Sequence, residues 1–205
     1  TVNVLNGVLH VGYEKDAWGS YTLSGGALNP RVQMVGYFGA GTFMQSGGAN
    51  AILSLVLGAF PGSSGSYDLS GLADLSAAGE VVAAQGYGSF THSGGTNTVN
   101  GLFILGAMAG GQGSYRLSGT GALETQSMAV GYAGIGSFDQ AAGASSASNT
   151  LSVADQPGSL GQFLLSGGTL WAGAEVIGNS GGGTFTQTGG SHSVMGDMIL
   201  AQNAG

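Results

Sequence analysis

Gly113-Ser114-Tyr115-Arg116-Leu117-Ser118-Gly119 decides the fold, because close copies of it run the length of the chain. The frame Gly-Ser-Tyr-x-Leu-Ser-Gly also begins at Gly19 and Gly65, and a relaxed copy, Gly-Gln-Phe-Leu-Leu-Ser-Gly, begins at Gly161. These copies are type A. A sister frame, type B, opens as Gly41-Thr42-Phe43-Met44-Gln45-Ser46-Gly47 and returns at Gly88, Gly136 and Gly183. The opening glycines therefore alternate A and B at positions 19, 41, 65, 88, 113, 136, 161 and 183, in steps of 22 to 25 residues. A period in the low twenties fits one coil of a β-solenoid, whereas a propeller blade needs four strands and about 40 residues. Only the paired A-plus-B period, about 47 residues, approaches the propeller range.

Inside each frame the residues alternate as a strand does: Tyr21 and Leu23 on one side, Ser20, Thr22 and Ser24 on the other. Stacked coils then align an aromatic column of Tyr21, Phe43, Tyr67, Phe90, Tyr115, Phe138, Phe163 and Phe185, which is the expected core. Two residues on, type A supplies Leu23, Leu69, Leu117 and Leu165, also core. Type B supplies Gln45, His92, Gln140 and Gln187. If that column faces inward, each polar side chain needs a partner, since an unpaired buried amide costs about 1–3 kcal/mol. Bonds from these side chains to a neighbouring turn are expected.

A Gly-rich turn follows each frame and leads to a second apolar segment, seen at 32–35, 52–57, 81–84, 102–105, 128–130, 176–177 and 198–200. Glycine suits the corners because it accepts positive φ and close backbone approach. Pro30, Pro61 and Pro157 all lie outside the frames, as strands with bonded N–H groups require. Residues 141–157, with Ala141-Ala142 where Ser-Gly is usual, read as a looser excursion. The prediction is an all-β chain: one continuous parallel β-solenoid over 1–205, a β-helix of the right-handed kind, with 22–25 residues per coil and roughly eight coils. Thr1–Trp18 matches the second half of a type B coil, so the chain reads as a segment of a longer protein or a fibre subunit.

Composition narrows the function. The chain has 43 glycines, 6% charged residues and a net charge of −7, with Lys15, Arg31 and Arg116 its cations. No basic stripe is available to neutralise phosphates, which excludes nucleic acid as a partner. No apolar run approaches the roughly 20 residues of a membrane-spanning helix, the longest, Ala51–Phe60, being strand-sized. At 42% hydrophobic residues the chain has enough apolar surface to fold rather than stay disordered. The absence of Cys removes disulfides and thiolate metal sites.

The succession Gly-Ser-Tyr-x-Leu-Ser-Gly, then Val-Gly-x-x-Gly-x-Gly-x-Phe-x-Gln-Ser-Gly-Gly, resembles the β-strand repeats of large secreted bacterial surface proteins, autotransporter-passenger-like or PEP-CTERM-type. Gly41–Gly48 and Gly183–Gly190 match it best. The resemblance implies an extracellular, secreted or surface-displayed protein acting as an adhesin, matrix component or stalk, and brings no catalytic set with it.

The candidate chemistry is sparse. The glycine loop Val35–Gly41 lacks the following helix that a phosphate site needs. The ten acidic residues are scattered, without the repeated Asp frame of calcium-binding solenoids. Asp139 and Arg116 share a frame position on successive coils and predict a surface ion pair. His10, His92 and His192 fall at unlike positions, three separate histidines with no metal between them. Trp18, Trp171, Tyr13, Tyr37, Tyr87 and Tyr132 could stack on sugar rings if several lined one face. The expectation is a non-enzymatic structural or adhesive solenoid with no catalytic residues, cofactor or metal. Its expected partners are other copies of itself, stacked head to tail, or cell-surface and matrix components. The alternative is a polysaccharide-binding or polysaccharide-cleaving β-helix.

Overall fold

A computed structural model describes residues 7–203, so Thr1–Asn6, part of the half coil read at Thr1–Trp18, and Ala204–Gly205 lie outside the described residues. The described chain is all-β, with no helix, and its strands pair in parallel in two sheets wound as a solenoid of about eight turns. Parallel pairing between every successive coil excludes the propeller, whose blades are made of antiparallel neighbours.

The repeated frames build one sheet of eight strands, each six residues long, from Trp18–Leu23 through Gln112–Leu117 to Gly182–Gln187. Their register is the sequence alignment itself: Gly113 lies opposite Gly88 and Gly136, Tyr115 opposite Phe90 and Phe138. Successive rings of the aromatic column stack 4.6–5.1 Å apart, the spacing of neighbouring strands. Phe43, Tyr67, Phe90, Tyr115, Phe138 and Phe163 are sealed from solvent, as are Leu69, Leu117 and Leu165, with Leu23 nearly so. Tyr21 and Phe185, on the two edge strands, pack against this core and are partly covered.

The second sheet, of eleven strands, is made by the return segments. The segments 32–35 and 198–200 are strands with the bounds read from the sequence, but in the six inner coils the structure corrects the reading: there the return strands are nine or ten residues long, as in Asp74–Val82 and Thr96–Leu105, and begin just after the glycine turn. The inward positions of Asp74–Val82 are Leu75, Ala77, Glu80 and Val82. Alternation skips one residue in the middle, and neighbouring strands record the skip as a register shift, for example between Val99 and Leu102. Such a bulge bends the strand and resets its faces. Residues 141–157 are no excursion either: Ala144–Val153 is a ten-residue strand that pairs with both neighbours on either side of a one-residue bulge after Ala147, burying Ala147, Leu151 and Val153.

A left-handed corner carries each return strand back to the next frame, with Gly106 at φ 65° and its counterparts Gly36, Gly58 and Gly131 alike. A Cβ on Gly106 would lie 2.3 Å from the Ile135 carbonyl oxygen, and one on the frame glycine Gly113 2.2 Å from that of Val82. Both contacts are far inside van der Waals range, so in this coil backbone meets backbone and a side chain at Gly106 or Gly113 would have to push it apart. Ala83, Ala154 and Ala201 hold the same corner in other coils at φ 69°, 59° and 54°.

Candidate functional site

The polar side chains of the interior are not scattered. On the frame strands Gln45, His92, Gln140 and Gln187 face inward at the position where type A has leucine. On the first half of the return strands the type B coils place Asn50, Asn97, Ser145 and His192 beside leucines of type A. On the second half the type A coils place Gln33, Glu80, Met128 and Glu175 beside Leu55, Phe103 and Leu151. Three columns thus converge into one cluster per pair of coils.

In the first cluster Asn50 Nδ2 donates to Gln33 Oε1 at 2.8 Å and to the Tyr67 hydroxyl at 3.1 Å. That hydroxyl donates to Gln45 Oε1, while Gln45 Nε2 donates to the carbonyls of Gly48 and Asp74. The second cluster repeats the plan: Asn97 Nδ2 donates to Glu80 Oε2 at 3.0 Å, the Tyr115 hydroxyl meets His92 Nδ1 at 2.8 Å, and His92 Nε2 meets the Gly95 carbonyl. The third is an apolar version. Met128 replaces the acid, Phe163 replaces the tyrosine, and Ser145 supplies the hydroxyl, donating to Gln140 Oε1 at 2.7 Å. In the fourth, His192 Nε2 lies 2.6 Å from Glu175 Oε1, and the imidazole stacks on Phe185 at 4.8 Å. The frame glutamines are bonded to turns, as their place in the repeat predicts.

Burial sets the ionisation of these groups. Glu80 is fully enclosed and its carboxyl is pushed up to about 7, opposed by the Asn97 hydrogen bond. His92 is drawn down to about 4 because the enclosure disfavours imidazolium. The phenols of Tyr67 and Tyr115 are raised by the same enclosure. Burial also raises Glu175, against the pull of His192. Each of these shifts favours the uncharged form, as the cost of an isolated buried charge dictates. Reading the three histidines as unconnected missed these clusters. The signal was present: in two of the columns the polar residues recur at 47 or 48, as in Asn50, Asn97, Ser145 and His192.

On the outer face of the frame sheet, the exposed residues Tyr87, Ile135 and Leu160 flank a row of hydroxyls that includes Ser89, Ser114 and Ser137. Together they line a shallow, uncharged groove crossing several coils. Of the other aromatics named from the sequence, Trp18 stands in the same outward column as Tyr87, at the edge strand of the frame sheet, while Tyr13, Tyr37 and Trp171 lie elsewhere. Tyr13 stacks on Tyr37 at 5.2 Å at the corner, with His10 edge-on to both. Trp18, 71% exposed, shares a depression with Phe38, Lys15 and Asp16, while Trp171 belongs to the return sheet. Arg116 and Asp139 sit opposite each other with Nε to Oδ2 at 4.0 Å, both exposed, a geometry worth under about 1 kcal/mol. Among the described residues no three His, Asp or Glu side chains gather as a metal site. No protein family, curated protein or solved structure matches the chain.

Proposed function

We propose that this chain is an extracellular structural or adhesive rod, a stalk, matrix or filament unit of a bacterial surface, and that it performs no catalysis. The observation that carries this reading is the continuity of the two parallel ladders. Frame glycines and aromatics pair in register through all eight frame strands, so each added coil repeats the same contacts. A stack of this kind lengthens by about 4.8 Å per coil without a new design. The small outward Ser and Thr side chains and the low charge suit a surface that meets water and neighbours passively. Fractionation of the source cells followed by negative-stain microscopy tests the proposal. Cell-surface rods or filaments are expected; a globular assembly confined to the cytosol would overturn it.

A second reading, polysaccharide binding, rests on the uncharged groove beside Tyr87, Ile135 and Leu160. Retention on an insoluble neutral glucan that disappears in Tyr87→Ala but persists in Trp171→Ala would favour it.

A further inference from the structure

The first two interior clusters each leave two buried polar atoms without a protein partner, at matching places. Gln33 Nε2 and Asn50 Oδ1 are left over beside the Asn50–Gln33 bond of the first cluster, Glu80 Oε1 and Asn97 Oδ1 beside the Asn97–Glu80 bond of the second. All four side chains are sealed from solvent. The residues correspond coil for coil: Gln33 and Glu80 share one inward column of the return sheet, Asn50 and Asn97 another. Described strands lie on both sides of each member. Leu9 and Leu55 flank Gln33, Leu28 and Leu75 flank Asn50, and the second cluster lies deeper still in the stack. Each leftover atom belongs to a planar group whose other polar atom is already bonded to the facing residue, so the two leftovers of a cluster flank one hydrogen bond.

Their chemistry selects what can sit there. In the first cluster the leftover pair is a donor and an acceptor; in the second, with Glu80 ionised, it is two acceptors. A cation would meet the N–H groups of Gln33, and an anion would meet an asparagine oxygen in either cluster. A species that both donates and accepts suits the two alike. The third cluster is the contrast, because Met128 and Ser145 hold the places of the acid and the asparagine, and Ser145 donates to Gln140 with no side-chain polar atom left over.

We propose that the interior binds one water molecule in each of the first two clusters, held by Gln33 Nε2 and Asn50 Oδ1 in one and by Glu80 Oε1 and Asn97 Oδ1 in the other, and none in the third. In the first, the water accepts from Gln33 Nε2 and donates to Asn50 Oδ1. In the second it donates to both oxygens when Glu80 is ionised. When Glu80 carries its proton on Oε1, the carboxyl donates to the water and the water donates on to Asn97 Oδ1, so one water serves both states of the acid. An enclosed polar atom without a partner is costly, and a water with two or more such partners is the usual remedy; an apolar site stays dry.

A crystal structure of the 205-residue protein, at a resolution that orders its surface waters, tests the proposal. Expected is a water within hydrogen-bond distance of both leftover atoms in each of the first two clusters and none beside Met128. Glu80→Met/Asn97→Ser copies the third cluster into the second, and its crystal structure should lose that water while keeping the one beside Gln33. Absence of water from either of the first two clusters in the parent protein, a water equally present in the third, or the short contacts of a metal ion at Glu80 would overturn the proposal. So would a water that stays in the second cluster of the double variant. If that variant does not fold, the three clusters of the parent decide the matter by themselves.

Discussion

Glu80 shows what one residue in this interior must satisfy. Its counterpart one repeat earlier is Gln33, which accepts from Asn50 as Glu80 accepts from Asn97. The two differ mainly in that glutamate can ionise. Because burial raises the Glu80 carboxyl to about 7 from an ordinary value near 4.5, the folded state holds a proton that the unfolded state has released between those pH values. Stability from this residue is thus complete below about pH 4.5 and is lost as pH rises through 7. His92 works in the opposite sense: drawn down to about 4, it costs stability as pH falls from 6.5 toward 4. Glu80→Gln, the chain's own solution at residue 33, should gain on the parent protein as pH is raised from 5 to 8, by on the order of 3 kcal/mol. Denaturant melts at the two pH values measure the gain, and an equal gain at both would show that Glu80 does not titrate in this window. The aromatic column makes a larger and pH-independent contribution. Phe90→Ala should cost about 3–5 kcal/mol, since the rings above and below cannot collapse into the gap without breaking strand register. An unchanged melt would place that ring outside the core.

At the scale of the strand and turn, the frame strands were fully legible in the sequence and the return strands only by half. Gly-Ser-Tyr-x-Leu-Ser-Gly alternates without interruption, so its faces and register followed from Tyr115 and its copies, while the strand itself starts one residue before the frame glycine and ends at Leu117. In Asp74–Val82 the bulge breaks the alternation after Ala77, and the polar Asp74 and Ser76 mask the first half, so the pattern alone yields a strand starting near Val81. Ala144–Val153 was obscured for the same reason, its outward residues being mostly serine and asparagine. The buried clusters stayed hidden because each draws its members from three strands of neighbouring coils, which a reading along the chain does not connect. The corners show where sequence and conformation disagree: Ala83 and Ala154 occupy left-handed backbone that glycine holds in most other coils. An L-residue pays about 1–2 kcal/mol there, and a glycine returns part of the difference through its freer unfolded chain. Ala83→Gly and Ala154→Gly should each raise the melting temperature, provided the buried methyls contribute less than the strain. A lowered melting temperature in both would show that the methyls decide.

For the molecule as a whole, the A-plus-B pair is the unit of construction, and removing one pair tests this directly. Residues 65–112 and 113–160 are blocks of equal length, each running from a type A opening glycine to the residue before the next. Either deletion joins a type B coil to a type A coil, as everywhere in the stack, so both products should fold as solenoids shortened by two coils, about 10 Å. Their interiors differ. Loss of 65–112 sets Tyr115 over Gln33, Gln45 and Asn50, where Tyr67 stood, and every bond of that cluster can reform. Loss of 113–160 sets Phe163 over Glu80, His92 and Asn97, leaving the His92 Nδ1 without the hydroxyl that Tyr115 supplied. A buried polar atom stripped of its partner costs about 1–3 kcal/mol, so the second deletion should melt earlier than the first by that margin, and restoring the hydroxyl with Phe163→Tyr should recover most of it. Equal stability of the two products would mean that coils stack by shape alone and that the buried clusters do not select their neighbours.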